Sequence, residues 1–402
     1  MRVTIRPSDL HGIVKAPPSK SMAHRYLICA AGAAGQSRIS GISLSEDIAA
    51  TLDCLRALGT DITIRDDVAL VKGRTIHDIP NSAVLPCRES GSTLRFMIPQ
   101  CLLADRSVTL TGSERLFERP LGVYEDICRE KGLSLSRSER SVTVKGPLTS
   151  GTYECPGNVS SQFISGLLMA LPHAGGESRI KITENPESLS YIELTLKALH
   201  SFGADCCREN ENVIKVGPGI LHPADLRVEG DYSNAACFLA LAAIGHAVDV
   251  TGLDPHSLQG DRVFSDYAEQ INRGFAELSI KDCPDLAPVL MALAAYRDGV
   301  RLTDTSRLRL KESDRGAAMA EELLKLGITV DIEDNALTVN KGRLRAPSAE
   351  LDGHNDHRIV MALSVLLTIT GGTICGCEAV RKSYPDFFDA LKDLCAEVTF
   401  DD

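Results

Sequence analysis

Pro17-Pro18-Ser19-Lys20-Ser21-Met22-Ala23-His24-Arg25 places a cation, a hydroxyl and a second cation at what reads as the entry to a helix. The chemistry of such a group is anion capture. The prolines disfavour helix before Ser19, Ser19 or Ser21 can cap the turn that follows, and the free N–H groups at the positive end of the helix dipole face whatever binds there. Lys20 and Arg25 add two full charges. The same nine residues also suit a capped surface helix with solvated bases, so discrimination has to come from the rest of the chain.

A second dense group, Arg307-Leu308-Arg309-Leu310-Lys311-Glu312-Ser313-Asp314-Arg315, adjoins another helix start. Arg315 follows one turn after Lys311, so both cations can face one ligand while Glu312 or Asp314 titrates beside them. A solvated helix face is the ordinary alternative. Glu312 among cations is suited to proton transfer if partly buried.

Six strongly apolar helix-like runs start at Lys20-Ser21, Gly91-Ser92-Thr93, Ser160-Ser161-Gln162, Asp231 to Asn234, Pro284-Asp285 and Asp356-His357-Arg358. Buried helix N-termini carry orphan N–H groups that need capping oxygens or anions. Capping explains Ser, Asp and Asn. It does not explain Lys20, Arg25, Arg95 and Arg358, because cations oppose the dipole at that end unless an anion intervenes.

These starts sit on a repeat. Six times an amphipathic helix-like segment runs into a strand-like one, with Gly59, Gly132, Gly203, Gly274 and Gly327 at five junctions and Cys395 at the sixth. The glycines fall where a left-handed helix cap belongs. Each unit then holds one apolar helix, expected to be buried, and one amphipathic helix, expected to lie outside. The pattern predicts an α/β protein of two domains with three repeats each; six unrelated hairpins in an open sheet are the alternative.

Composition agrees with that scale. A chain of 402 residues exceeds what one core usually serves, and 44% apolar content can fill two. No apolar run is long enough to cross a membrane and the first residues do not read as a signal peptide, so a soluble cytoplasmic protein is expected. The 13 cysteines lie mostly in apolar stretches without metal-ligand spacing, which suits reduced thiols and predicts no metal site. A net charge of −11 disfavours nucleic acid as a partner and favours a local basic pocket for a small anion.

The motifs PPSKSMAHR, SGSTLR, ERP, SSQF, EGDYSNAACF, KESDR, NDHR and KSYPD occur in one order along almost the whole chain. In that order they resemble the 5-enolpyruvylshikimate-3-phosphate (EPSP) synthase family. The resemblance implies a two-domain inside-out α/β barrel, each domain three βαβαββ repeats. It implies a domain of residues 20–229 and a second of 1–19 with 230–402, closing on an interdomain cleft. It also implies transfer of the enolpyruvyl group of phosphoenolpyruvate to the 5-hydroxyl of shikimate 3-phosphate through a tetrahedral intermediate, with no cofactor or metal and as a monomer.

Carried over by position, Lys20, Ser21, Arg25, Ser160, Ser161, Gln162, Ser188, Asp285 and Lys311 would bind shikimate 3-phosphate, with Ser190 close to Ser188 and Tyr191 at the same sub-site. Lys20, Gly91, Arg119, Gln162, Arg315, Arg358 and Lys382 would grip phosphoenolpyruvate. Asp285 would serve the 5-hydroxyl and Glu312, with Lys20, the methylene proton, although Asp285 also suits a simple helix cap after Pro284. His357 would hydrogen-bond in the site or pack.

Two positions depart from the family pattern, Glu89 and Arg307, each standing where the family often has Asn. Glu89 is expected to pair with Arg88 or Arg95 or to bond a substrate hydroxyl, and Arg307 to offset its charge. The sister enzymes acting on a UDP-amino sugar usually carry a loop cysteine, which the stretch GSERLFERPL lacks. A non-catalytic binder of phosphorylated metabolites would keep anion anchors and lose Asp285 or Glu312; both are present.

Overall fold

A computed structural model describes residues 1–74, 77–80, 82–184 and 186–401. The chain divides into two compact units, Pro18–Glu229 and Met1–Pro17 with Gly230–Asp402. Ser19 N donates to Glu229 O at 2.8 Å, which ties together the two ends of the Pro18–Glu229 unit.

The Pro18–Glu229 unit contains three four-stranded sheets of one topology. In the second, Val84–Arg88 runs parallel to Ser107–Gly112, which pairs antiparallel with Ser141–Lys145, which pairs antiparallel with the edge strand Ser134–Arg137. The third repeats this with Thr152–Cys155, Ser178–Ile182, Val213–Val216 and Cys206–Asn210. The first borrows its opening strand, Asp225–Arg227, from the end of the unit. Alternate residues of these strands are buried, so each sheet turns one face to a core built on the helices Lys20–Gly32, Gly91–Leu102 and Ser161–Ala170. Each fully buried Leu, Ile or Phe there contributes about 1.5–3 kcal/mol.

The other unit carries two such sheets and a shorter one. Ala276–Ser279, Val300–Thr303, Ala336–Val339 and Val330–Ile332 follow the common order. The last sheet is Leu351–Asp352, Gly372–Cys375, Arg2–Ile5 and Val398–Asp401, its third place filled by the start of the chain. The remaining sheet pairs only His11–Lys15 with Ala247–Thr251. The strand that follows its amphipathic helix, Ala276–Ser279, is taken as first strand of the next sheet, because the chain then runs straight into the Pro284–Leu286 turn with no returning hairpin. Here the expected six equal units become five and a shortened one among the described residues.

The apolar helices are buried nearly along their length, as the repeat predicts. The amphipathic set is less uniform. Phe264–Arg273 buries only Phe264, Ala268 and Ile271, a single stripe, whereas Glu46–Ala57 sinks most of its residues, including Asp47 and Thr51. Cys395 adopts φ 69° at the sixth junction, the left-handed conformation that Gly327 adopts at the fifth with φ 86°. All 13 cysteines are free, and all but Cys207, Cys375 and Cys395 are buried. No helix among the described residues is long and apolar enough to cross a membrane.

Candidate functional site

The apolar helices start as their sequences require, with one exception. Ser19, Ser90, Ser160, Asp231 and Asp356 each accept a hydrogen bond from a backbone N–H of the first turn. The helix Ala287–Tyr296 has no side-chain cap; it continues the Pro284–Leu286 turn, where Pro284 removes one orphan donor. Asp285 lies inside that turn, just ahead of Leu286, which occupies the cap position of the helix. Its Oδ1 accepts from Lys311 Nζ at 2.9 Å and Arg315 Nη1 at 2.6 Å.

Arg315 organises this unit's cluster. Its guanidinium, 2% exposed, donates Nη1 to Asp285, Nη2 to Glu312 Oε2 at 2.8 Å, and Nε to Asp356 Oδ2 at 2.9 Å. Three carboxylates around one buried cation raise the guanidinium pKa well above its usual value despite burial. Burial alone would raise Asp285; Lys311, Arg315 and Arg358 outweigh it and hold the carboxyl well below the ordinary range. Burial is also the main cause of the lowered Lys311 pKa, with Asp285 opposing it. Asp314 caps the helix Arg315–Lys325 by accepting from Ala317 N, which leaves Glu312 as the carboxylate turned to Arg315.

Arg358 and Lys382 each donate to a neutral oxygen. Arg358 Nη1 donates to Asn234 Oδ1 at 3.0 Å, and Lys382 Nζ to Asn355 O at 2.6 Å. Ser383 Oγ also donates to Asn234. His357 is buried, with Nδ1 3.9 Å from Asp356 Oδ1. Asp261, likewise buried, is pushed up to about 7, first by burial and then by Asp285.

The Pro18–Glu229 unit gathers a separate set. Lys20 Nζ meets Asp47 Oδ2 at 2.8 Å, an acidic partner that offsets a cation at a helix start. Arg25, buried to 2% exposure, donates Nε to Thr195 Oγ1, Nη1 to Ser21 O, and Nη2 to Ser165 Oγ and Tyr191 O. All four acceptors are neutral, so the guanidinium charge remains to attract an anion. Burial lowers its pKa only to about 10, and it stays protonated near neutrality.

Gln162 accepts from Arg95 Nη1 at 2.7 Å and donates to Ser92 Oγ at 2.9 Å, which locks its amide. Ser160 caps that helix and Ser161 opens it. Gly91 leaves room for Arg119: a Cβ there would lie 2.4 Å from Arg119 Nη1, so the guanidinium covers the helix start. Ser188 is buried with φ 56° at the head of the helix Leu189–Ser201, a left-handed serine that costs about 1 kcal/mol.

Asp285, Lys311, Glu312, Arg315, Arg358 and Lys382 thus belong to one unit and Lys20, Ser21, Arg25, Gly91, Arg119, Ser160, Ser161, Gln162 and Ser188 to the other. Sequence reasoning missed Asp356, Asp47, Asn234 and Thr195 as partners. Asp356 in NDHR and Asn234 in EGDYSNAACF were legible only as parts of helix starts; Asp47 and Thr195 carry no local signal. Glu89 is half-buried, and Arg88 Nη2 donates to Asp53 Oδ2 at 2.7 Å. Arg307 belongs to the other unit, donates to Lys281 O at 2.7 Å, and adds positive potential at Lys311.

Residues 5–391 match the family described as EPSP synthase (3-phosphoshikimate 1-carboxyvinyltransferase). The chain is 37% identical to a 3-phosphoshikimate 1-carboxyvinyltransferase of Clostridium kluyveri over 98% of both chains. It is 39% identical to one of Clostridium perfringens, again over 98% of each. An EPSP synthase structure from Acinetobacter baumannii superposes with a TM-score of 0.80 at 24% identity, covering 99% of this chain and 100% of that one, and so shares the fold. Six helix starts, the two cationic clusters and a match over nearly the full length therefore lead to one conclusion: the chain belongs to the EPSP synthase family of carboxyvinyl transferases.

Proposed function

We propose that the protein transfers the enolpyruvyl group of phosphoenolpyruvate to the 5-hydroxyl of shikimate 3-phosphate and releases inorganic phosphate. The observation that carries this reading is that one buried guanidinium, Arg315, bridges two carboxylates, Asp285 and Glu312, within a cluster of further cations. Addition needs a proton delivered to the methylene carbon and one taken from the hydroxyl. Elimination needs a proton removed from the new methyl group as the C–O bond to phosphate breaks.

In this reading Asp285 takes the 5-hydroxyl proton, and Glu312, assisted by Lys20, exchanges the methylene proton. Asp285 is a weak base while Lys311 and Arg315 stabilise its charge. Two polyanions beside those cations would weaken that stabilisation and raise its basicity towards the working pH. Arg25, Ser21, Ser160, Ser161, Gln162, Ser188 and Lys311 would hold shikimate 3-phosphate, while Gly91, Arg119, Arg315, Arg358 and Lys382 hold phosphoenolpyruvate. Charge neutralisation by fixed cations is then the main contribution to catalysis. The reading extends to a monomer acting in the cytoplasm on these two small molecules.

A coupled assay of phosphate release tests it. Release dependent on both shikimate 3-phosphate and phosphoenolpyruvate is expected. No release at saturating concentrations, with UDP-N-acetylglucosamine accepted instead, would overturn the reading.

A further inference from the structure

The helix Arg315–Lys325 grips the segment Asp352–Asp356 at two points, two helical turns apart. At the first turn Arg315 Nε donates to Asp356 Oδ2 at 2.9 Å. Seven residues on, along the same helix face, Glu322 is fully buried; its Oε2 accepts from Asp352 N at 2.9 Å and its Oε1 lies 2.8 Å from His354 Nε2. Lys325 Nζ donates to both Glu322 oxygens at 2.9 Å, which offsets the buried charge.

Between the two grips the backbone is strained. His354 and Asn355 both lie in the left-handed region, with φ 48° and 51°, and consecutive non-glycine residues there persist only where neighbours hold them. Gly353 N donates to Cys375 O at 2.9 Å and Asp356 N to Gly353 O at 2.8 Å, which completes the turn. The turn has two products. Asn355 O accepts from Lys382 Nζ, and Asp356 Oδ1 accepts from Arg358 N at 2.9 Å.

We propose that Glu322 and His354 are positioning residues: their pairing holds the 352–356 turn and so places Lys382, Arg358 and Arg315 for the phosphoenolpyruvate anion. The functional half rests on the reading of those three cations given above. Neither residue touches substrate; both act through Asn355 and Asp356.

The hydrogen bond to Glu322 raises the His354 pKa above its ordinary value, with burial opposing it, and Asp352 and Glu321 add to the rise. The charged or titratable groups around the pair are Glu321 and Lys325 on the helix, Glu350 and Asp352 on the segment, and Cys375 on the adjoining strand. A raised folded value means the ion-pair contribution is complete below about pH 6.5 and is lost as pH rises through the folded value.

The test compares wild type, His354→Ala, His354→Gln and Glu322→Gln in steady-state kinetics from pH 6 to 9, with the His354 ring followed by NMR. His354→Ala should raise the KM for phosphoenolpyruvate on the order of tenfold and leave that for shikimate 3-phosphate within twofold. His354→Gln, which keeps a neutral donor, should restore most of the affinity and remove the wild-type rise of this KM at alkaline pH. In Glu322→Gln the His354 titration should move to lower pH. An unchanged titration there would overturn the clamp. A phosphoenolpyruvate KM within twofold of wild type in His354→Ala, or an equal rise of both KM values, would overturn the positioning role. If Lys382→Met leaves that KM unchanged, the phosphoenolpyruvate reading itself fails, whatever the NMR titration shows.

Discussion

Arg315 and Asp356 are joined through two hydrogen bonds, Nε to Oδ2 at 2.9 Å and Nη2 to Oδ1 at 3.3 Å, with both side chains buried. Asp356 also caps its helix through Arg358 N and accepts from Ser313 Oγ at 3.1 Å. Asp356→Ala leaves a buried guanidinium short of one of its three carboxylates and a helix without its cap. A loss of about 3 kcal/mol in urea unfolding is expected, since breaking a buried pair typically costs 3–5 kcal/mol and Asp285 and Glu312 remain. Asp356→Asn keeps a capping oxygen and should lose less. Equal stability of both variants and wild type would remove Asp356 from the cluster's support.

Glu312 Oε2 accepts from Arg315 Nη2, a bond that an amide oxygen in Glu312→Gln can keep. In the proposed role of Glu312 the substitution would remove proton transfer and little else. Turnover should fall by roughly two to four orders of magnitude, with the dissociation constant for shikimate 3-phosphate nearly unchanged. Weakened binding at normal turnover would refute the assigned role.

Gly91→Ala places a methyl group where Arg119 Nη1 now lies, 2.4 Å from the new atom. The guanidinium is the far end of a flexible side chain, so it can swing aside and the fold should lose little, under about 1 kcal/mol. Affinity for phosphoenolpyruvate should fall while that for shikimate 3-phosphate holds. The split between the two KM values, measured with a thermal melt as control, checks it; a drop in stability with unchanged KM values would mean that Gly91 serves packing alone.

His24 is buried, with Nδ1 2.8 Å from Thr51 Oγ1, and Thr51 bonds on to Thr93 at 2.7 Å. Burial, then the charges of Lys20 and Arg25, hold its pKa well below the usual value. The folded protein keeps the ring neutral while the unfolded chain binds a proton below about pH 6.5, so stability must fall as pH drops through that window. His24→Asn cannot take up the proton. Between pH 6 and 5 it should flatten the pH dependence of the unfolding free energy by about 1.4 kcal/mol per pH unit. An identical slope in the two proteins would show that His24 titrates freely in the fold.

Several local features are legible in the sequence alone. Ser19 caps its helix, the apolar helices are buried, and Cys395 takes the left-handed place that Gly59, Gly132, Gly203 and Gly327 fill at four of the other junctions, Gly274 differing with φ 141° and ψ −167°. These depend on capping, periodicity and backbone sterics, which act over a few residues. The ordered motifs extended that reading to the family, which the full-length match shows. The shortened fourth repeat was less legible, because a strand's pattern does not say which sheet will take it: Ala276–Ser279 reads the same whether it closes its own unit or opens the next.

The sequence by itself determined the repeat, the helix starts and the cations placed there, since each follows from residues close along the chain. Only the tertiary structure decided the partners. Arg25 reaches Thr195 across 170 positions, Arg315 reaches Asp356 across 41, and His354 reaches Glu322 across 32. Such pairs depend on the register of each sheet and the rotation of each helix against its neighbours, which emerge from packing the whole unit. The charge balance at Asp285, set by Lys311 and Arg315 together, was therefore beyond any local reading of KESDR.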